Sequence, residues 1–213
     1  MTTRYEEFLT EVMPYVRECP EIVAVNALRN AMIEFCDKSM LWQYEVDPID
    51  VVAGTTEYTL ALPPGTGIAR IMDLFHNGHR LQPRSETELA SLYVDDWRSQ
   101  QGEPCYYTQR WPNVVILCPA PSTSILSGLD LIVALRPTRA GIAVDDFLFE
   151  RWAEEIAFGA RARIMAISGQ PYTDQVQASY YRAQFESAIG KAKIELNRGL
   201  TRAVQHVRPP DLV

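Results

Sequence analysis

Residues 145–199 read DDFLFERWAEEIAFGARARIMAISGQPYTDQVQASYYRAQFESAIGKAKIELNRG, and this stretch decides the architecture. Leu148, Trp152, Ile156, Ala160, Ile164 and Ile167 recur at steps of three and four, the period of one helix face. Asp145 and Asp146 stand at its start, where a carboxylate accepts the orphan N–H groups and faces the positive end of the helix dipole. Gly169 and Pro171 follow in the order of a helix stop. Thr173 and Asp174 then cap a second helix, with Tyr181, Phe185, Ala188, Ala192 and Leu196 on its apolar face and Gly199 at its end. The spacing predicts a helical hairpin. Gly159 and Gly190 interrupt it, and each costs about 1 kcal/mol against alanine. Close backbone approach between the two helices is the expected compensation.

Working outward, residues 4–17 carry Tyr5, Phe8, Leu9 and Val12 at helical spacing, with Pro14 as a break. Pro20 suits the first turn of a longer helix over about 20–41, whose apolar positions are Ile22, Val25, Leu28, Met32 and Phe35. The period then changes. Residues 45–53 and 56–62 are rich in Val, Ile, Thr and Tyr, and 68–75 is a further strand. Asn77-Gly78 is a strong hairpin signal leading to a short return over 79–82. Ser85 with Glu88 forms a capping box for a short helix to about Tyr93. Strands over 105–110, 114–118 and 129–135 follow, and a loop through Gly141 leads back to the hairpin.

Helices, then strands, then helices predict an α+β fold. The expected form is an α-helical bundle (helices about 4–17, 20–41, 146–168 and 173–199) with an inserted antiparallel β module over about 44–136. By domains, 1–43 with 140–199 form the helical part, 44–139 the β-rich insert, and 200–213 an extended C-terminal arm.

The 213 residues are 47% hydrophobic and 22% charged, the composition of an ordinary globular chain. No apolar run reaches the roughly 18 residues of a membrane span. The N-terminus lacks the basic and apolar regions of a signal peptide, so a cytoplasmic product with no membrane partner is expected. Net charge is −7 and unevenly placed: residues 1–145 hold 11 basic and 19 acidic side chains, and 146–213 hold 9 and 8. No basic stripe suggests sequence-specific nucleic-acid binding. Cys19, Cys36, Cys105 and Cys118 lack metal-ligand spacing; only Cys105 and Cys118 could meet, across a hairpin.

No nucleophile elbow, phosphate loop, dinucleotide fingerprint or zinc-helix motif occurs, so no catalytic, cofactor-binding or metal residue is expected. His76 and His79 flank the Asn-Gly turn and read as two exposed turn residues. Asp95-Asp96 reads as a solvated loop pair. Trp97, Trp111, Tyr106 and Tyr107 form an aromatic group suited to a mixed core and interface role. Arg161, Arg163 and Arg182 put positive charge on the hairpin, either as a solvated face linked to Glu154, Glu155 and Glu186 or as a subunit contact.

Together these segments resemble the tailed-bacteriophage head-to-tail adaptors, the head-completion, gateway or tail tubular protein A-like family. The stretch AVNALRNAMIEFCDKSMLWQYEVDPIDVVAGTTEYTLALP carries the match through Ala27, Leu28, Arg29, Phe35, Cys36, Trp42, Asp50, Gly54, Tyr58, Leu60 and Pro63. PCYYTQ, VVILCPAP and WAEEIAFGARARIMAISGQPYTD resemble the family's closing segments, so the likeness spans about residues 20–200. The resemblance implies a structural virion protein at the neck, assembled in the host cytoplasm. It implies a homo-oligomeric ring, commonly of twelve subunits, whose partners are the portal protein, a tail or nozzle protein and genomic DNA passing through the channel without sequence-specific binding. It also makes 200–213 a portal-docking arm, with Leu200, Thr201, Arg202, Val204, His206, Val207, Arg208 and Leu212 as its contact residues. Arg161, Arg163, Arg182, Trp97 and Trp111 are the expected subunit-interface residues. The alternative within the same assembly is another neck or tail-completion subunit.

Overall fold

The computed structural model describes residues 2–93 and 96–199. In chain order its elements are β1 (Thr2–Arg4), α1 (Leu9–Val12), α2 (Glu21–Ser39), β2 (Gln43–Val51), β3 (Glu57–Thr59), β4 (Thr66–His76), β5 (His79–Arg80) and β6 (Gln82–Pro83). There follow α3 (Glu86–Leu92), β7 (Gln101–Gly102), β8 (Tyr106–Arg110), β9 (Val114–Cys118), β10 (Ala120–Pro121), β11 (Ile125–Pro137), β12 (Ala143–Asp145), α4 (Asp146–Met165) and α5 (Gln175–Arg198). The described residues divide into two units, 2–41 with 142–199, and 42–141.

In the first unit, α4 starts where Asp145 accepts a hydrogen bond from the Phe147 N–H at 3.2 Å. At the start of α5, Asp174 accepts from the N–H groups of Val176 and Gln177, each at 3.0 Å. These caps satisfy donors that a helix end leaves orphaned. Leu148, Trp152, Ile156, Ala160 and Ile164 of α4 are buried against Phe185, Ala188 and Ala192 of α5 and Leu28, Met32 and Phe35 of α2. Rings fill the centre: Phe35 lies 5.4 Å from Trp152 and 6.3 Å from Phe185. A Cβ built on Gly159 would lie 2.7 Å from the Phe185 ring, so the glycine makes room for that ring. Gly190 faces open space.

The second unit holds two four-stranded sheets, ordered β2-β11-β4-β5 and β3-β9-β8-β6. The long strand β11 pairs antiparallel with both β2 and β4. Asn77 and Gly78 both take positive φ, 49° and 78°, and close the β4–β5 hairpin. Ser85 and Glu88 form the capping box that starts α3. This short helix places Leu89 in a small core with Trp97, Ile116 and Cys118.

The expected helical bundle with an inserted antiparallel module is overturned. The fold is mixed α/β, 41% helix and 31% strand, so the strands are no minor insertion. They are neither all antiparallel nor confined to 44–136. β6 pairs parallel with β8, β7 pairs parallel with β10, and β1 pairs with β12 inside the helix-bearing unit. The expected helix over 4–17 is a broken ribbon: a 3-10 turn over Tyr5–Phe8, a single α-turn in α1, and a second 3-10 turn over Met13–Tyr15. Pro14 lies in the first turn of the last piece and removes an N–H that a continuous helix would use.

Candidate assembly surfaces

The arginines of the helical hairpin do different work. Arg161 is 2% exposed. Its Nε donates to the Glu11 carbonyl at 2.9 Å and its Nη2 donates to the same oxygen. Its guanidinium lies 3.6 Å from the Tyr15 ring centre, 5.2 Å from Tyr181 and 5.3 Å from Phe158. The cation is thus enclosed by π faces and one carbonyl.

Arg163 and Arg182 converge on one carboxylate, Glu34 of α2. Arg182 donates to both Glu34 oxygens, at 3.1 and 2.7 Å, and its Nε donates to Glu186 at 3.0 Å. Arg163 donates to Glu34 and, at 2.7 Å, to the Gly159 carbonyl. Lys38 adds a third cation at 2.6 Å. Burial pushes the Glu34 carboxyl up, but hydrogen bonds from Arg182 and Lys38 and the charges of Arg163 and Arg182 prevail and bring it to about 2. At Arg163 burial prevails instead and lowers the pKa, while at Arg182 the hydrogen bond to Glu34 raises it. Both guanidiniums stay charged in either case. Of the partners expected from sequence, only Glu186 takes part. Glu34 was missed because its sequence signal, an i,i+4 spacing to Lys38, reads as an ordinary surface pair on one helix.

The two tryptophans also part company. Trp97 is 3% exposed and sits in the core under α3. Trp111 is 80% exposed at the turn between β8 and β9. Val176 and Tyr180, one turn apart on α5, are exposed as well. The arm residues Leu200, Thr201, Arg202, Val204, His206, Val207, Arg208 and Leu212 lie outside the described residues.

His76 is not an exposed turn residue: it is 4% exposed, and neither ring nitrogen has a hydrogen-bond partner among the described residues. Burial holds its pKa down, against the pull of Glu103 and together with the charge of His79. The four thiols are free.

The second unit also contains a cleft of about 960 Å3, bordered by Arg70, Asp73, Arg84, Tyr107 and Gln109. The Arg84 guanidinium lies 5.7 Å from the Tyr106 ring centre. No spacing rule singled out Arg70 and Arg84, because they come from separate segments that only folding brings together.

The family model for SU10 adaptor protein matches residues 3–209, and the chain belongs to that family of phage head-to-tail adaptors. It is accordingly an adaptor among phage structural proteins, and membership implies a place at the virion neck. No curated protein matches the chain. No helix among the described residues is long and apolar enough to cross a membrane.

Proposed function

We propose that this adaptor forms a closed homo-oligomeric ring of twelve subunits between the portal and the tail. Genomic DNA passes through its central channel without sequence-specific contact. The family match over residues 3–209 carries this reading. A ring needs heterologous, head-to-tail contacts between identical subunits. The α4–α5 pair offers a stiff surface for them. Its outer side carries Val176, Tyr180 and part of Arg182, and Trp111 supplies an exposed aromatic anchor elsewhere. Arg161 and Trp97 are enclosed within the subunit and support its core. A net charge of −7 suits a channel wall along which phosphates find few cations.

Residues 200–213 serve as the portal-docking arm. The test is to add purified protein to DNA-filled heads that lack it and count the copies bound. Twelve copies per head are expected for the full chain. Deletion of 200–213 leaves the circular dichroism and unfolding midpoint unchanged and weakens attachment. Unchanged occupancy and affinity for the truncated chain would show that the arm does not dock.

A further inference from the structure

The sheet β2-β11-β4-β5 leaves two strand edges without a full partner, and they differ in charge. On one side β2 pairs among the described residues only with β11, and its sequence QYEVDPIDV exposes Glu45, Asp47 and Asp50. On the other side, β5 pairs with β4 only at Phe75 and His76, and the Leu81 N–H reaches the Leu74 carbonyl at 2.9 Å. Residues 66–73 of β4 have no strand on that side among the described residues.

This open edge borders the cleft: Arg70, Ile71, Met72 and Asp73 all line it. Side chains alternate between the faces of a strand, so four consecutive residues meet one space only where the backbone edge itself faces it. Across the cleft, the carbonyls of Cys105 and Tyr107 accept from the N–H groups of Gln82 and Arg84, each at 2.9 Å. By alternation Gln109 presents its backbone to the same side, beyond Ser85, where the chain turns into α3. The open edge of β4 therefore flanks the cleft on one side, while on the other β6 covers β8 as far as Tyr107.

The cleft is locally basic. Arg70, Arg80 and Arg84 stand against Asp73 and Glu88, a balance of +1. Residues 42–141 as a whole hold seven arginines and eleven carboxylates, a balance of −4. Arg80 is tied to Asp73 at 2.5 Å and Arg84 more loosely to Glu88 at 3.5 Å. Arg70 is exposed, with no ion pair among the described residues. Arg84 Nε is enclosed without an acceptor.

The β2 edge is built against pairing with itself. Its exposed Glu45 and Asp47 would meet their own kind in a second β2. The same carboxylates suit an edge bordered by arginines. We propose that β2 of one copy adds as a strand in the cleft of the next copy, with its carboxylates set against Arg70 and Arg84. The contact joins opposite edges of one sheet, so it is heterologous and repeats head to tail. It presupposes the ring proposed above and supplies one of that ring's subunit contacts.

A charge exchange between the two edges tests it, read as ring assembly by native mass spectrometry and electron microscopy, alone and on heads. Arg70→Glu and Asp47→Arg change exposed side chains, and circular dichroism checks that each variant folds. Each alone should weaken ring formation about tenfold or more, because like charges then meet at every contact. An equimolar mixture of the two, in which every contact again pairs opposite charges, should restore it, and so should the double variant. Rings that form unchanged from each single variant overturn the strand addition and leave the ring standing. So does loss that neither the mixture nor the double variant repairs. A wild-type chain that stays monomeric alone and on heads overturns both.

Discussion

At the scale of single residues, Glu34 carries more of the fold than its surroundings in the sequence suggest. It joins α2 to α4 and α5 through Arg163 and Arg182 and holds Lys38 on its own helix. Its folded pKa of about 2 lies below the ordinary 4.5. Because the folded value is the lower one, the stabilisation is complete above pH 4.5 and is lost as pH falls toward 2. Replacing Glu34 with Gln leaves two guanidiniums without their carboxylate and should cost about 2–3 kcal/mol at pH 7, somewhat less than a fully buried pair. Urea unfolding from pH 7 to pH 2 checks this: the gap between wild type and E34Q should close on acidification. A gap that persists at the lowest pH would mean that Glu34 acts through packing rather than charge.

At the scale of elements, the two hairpin glycines separate what sequence shows from what only contact shows. The caps at Asp145 and Asp174 and the Asn77-Gly78 turn were legible, because each rests on local chemistry, whereas the apolar faces were legible only in part: Ile22 and Ile167, expected on them, are exposed. Both glycines carried the same local signal, yet only Gly159 abuts another helix, and what meets it is the Phe185 ring rather than backbone. Gly159→Ala should therefore destabilise: overpacking of about 1–3 kcal/mol opposes a helix-propensity gain of about 1 kcal/mol. Gly190→Ala meets nothing and should stabilise by about 0.5–1 kcal/mol. Thermal unfolding of the two variants should move Tm in opposite directions; a shared direction would contradict the contact. The parallel pairs β6–β8 and β7–β10 were illegible for a related reason. Each β6, β7 and β10 segment is two residues long and shows no period, and its partner is distant in the chain. The enclosure of Arg161 among aromatic rings and of Trp97 in a small core was likewise not shown by local spacing.

At the scale of the whole molecule, the order of segments was more informative than any one motif. None of the quoted stretches encodes a reaction, yet together they resembled the phage adaptors, and the family match over 3–209 agrees. The fold class derived from the same segments erred because it counted long periodic elements and missed short strands. The proposed assembly rests on exposed surfaces and on one cleft: Trp111, Val176 and Tyr180 stay exposed, and the sheet β2-β11-β4-β5 has an acidic edge at β2 and an arginine-bordered edge at β4. The most direct measurement is cryo-electron microscopy of the virion neck at side-chain resolution. The chain should appear as a closed ring of twelve copies between portal and tail, with residues 200–213 on the portal and DNA in the channel. A ring at the tail side alone, with no portal contact, or a neck without this chain would contradict the account.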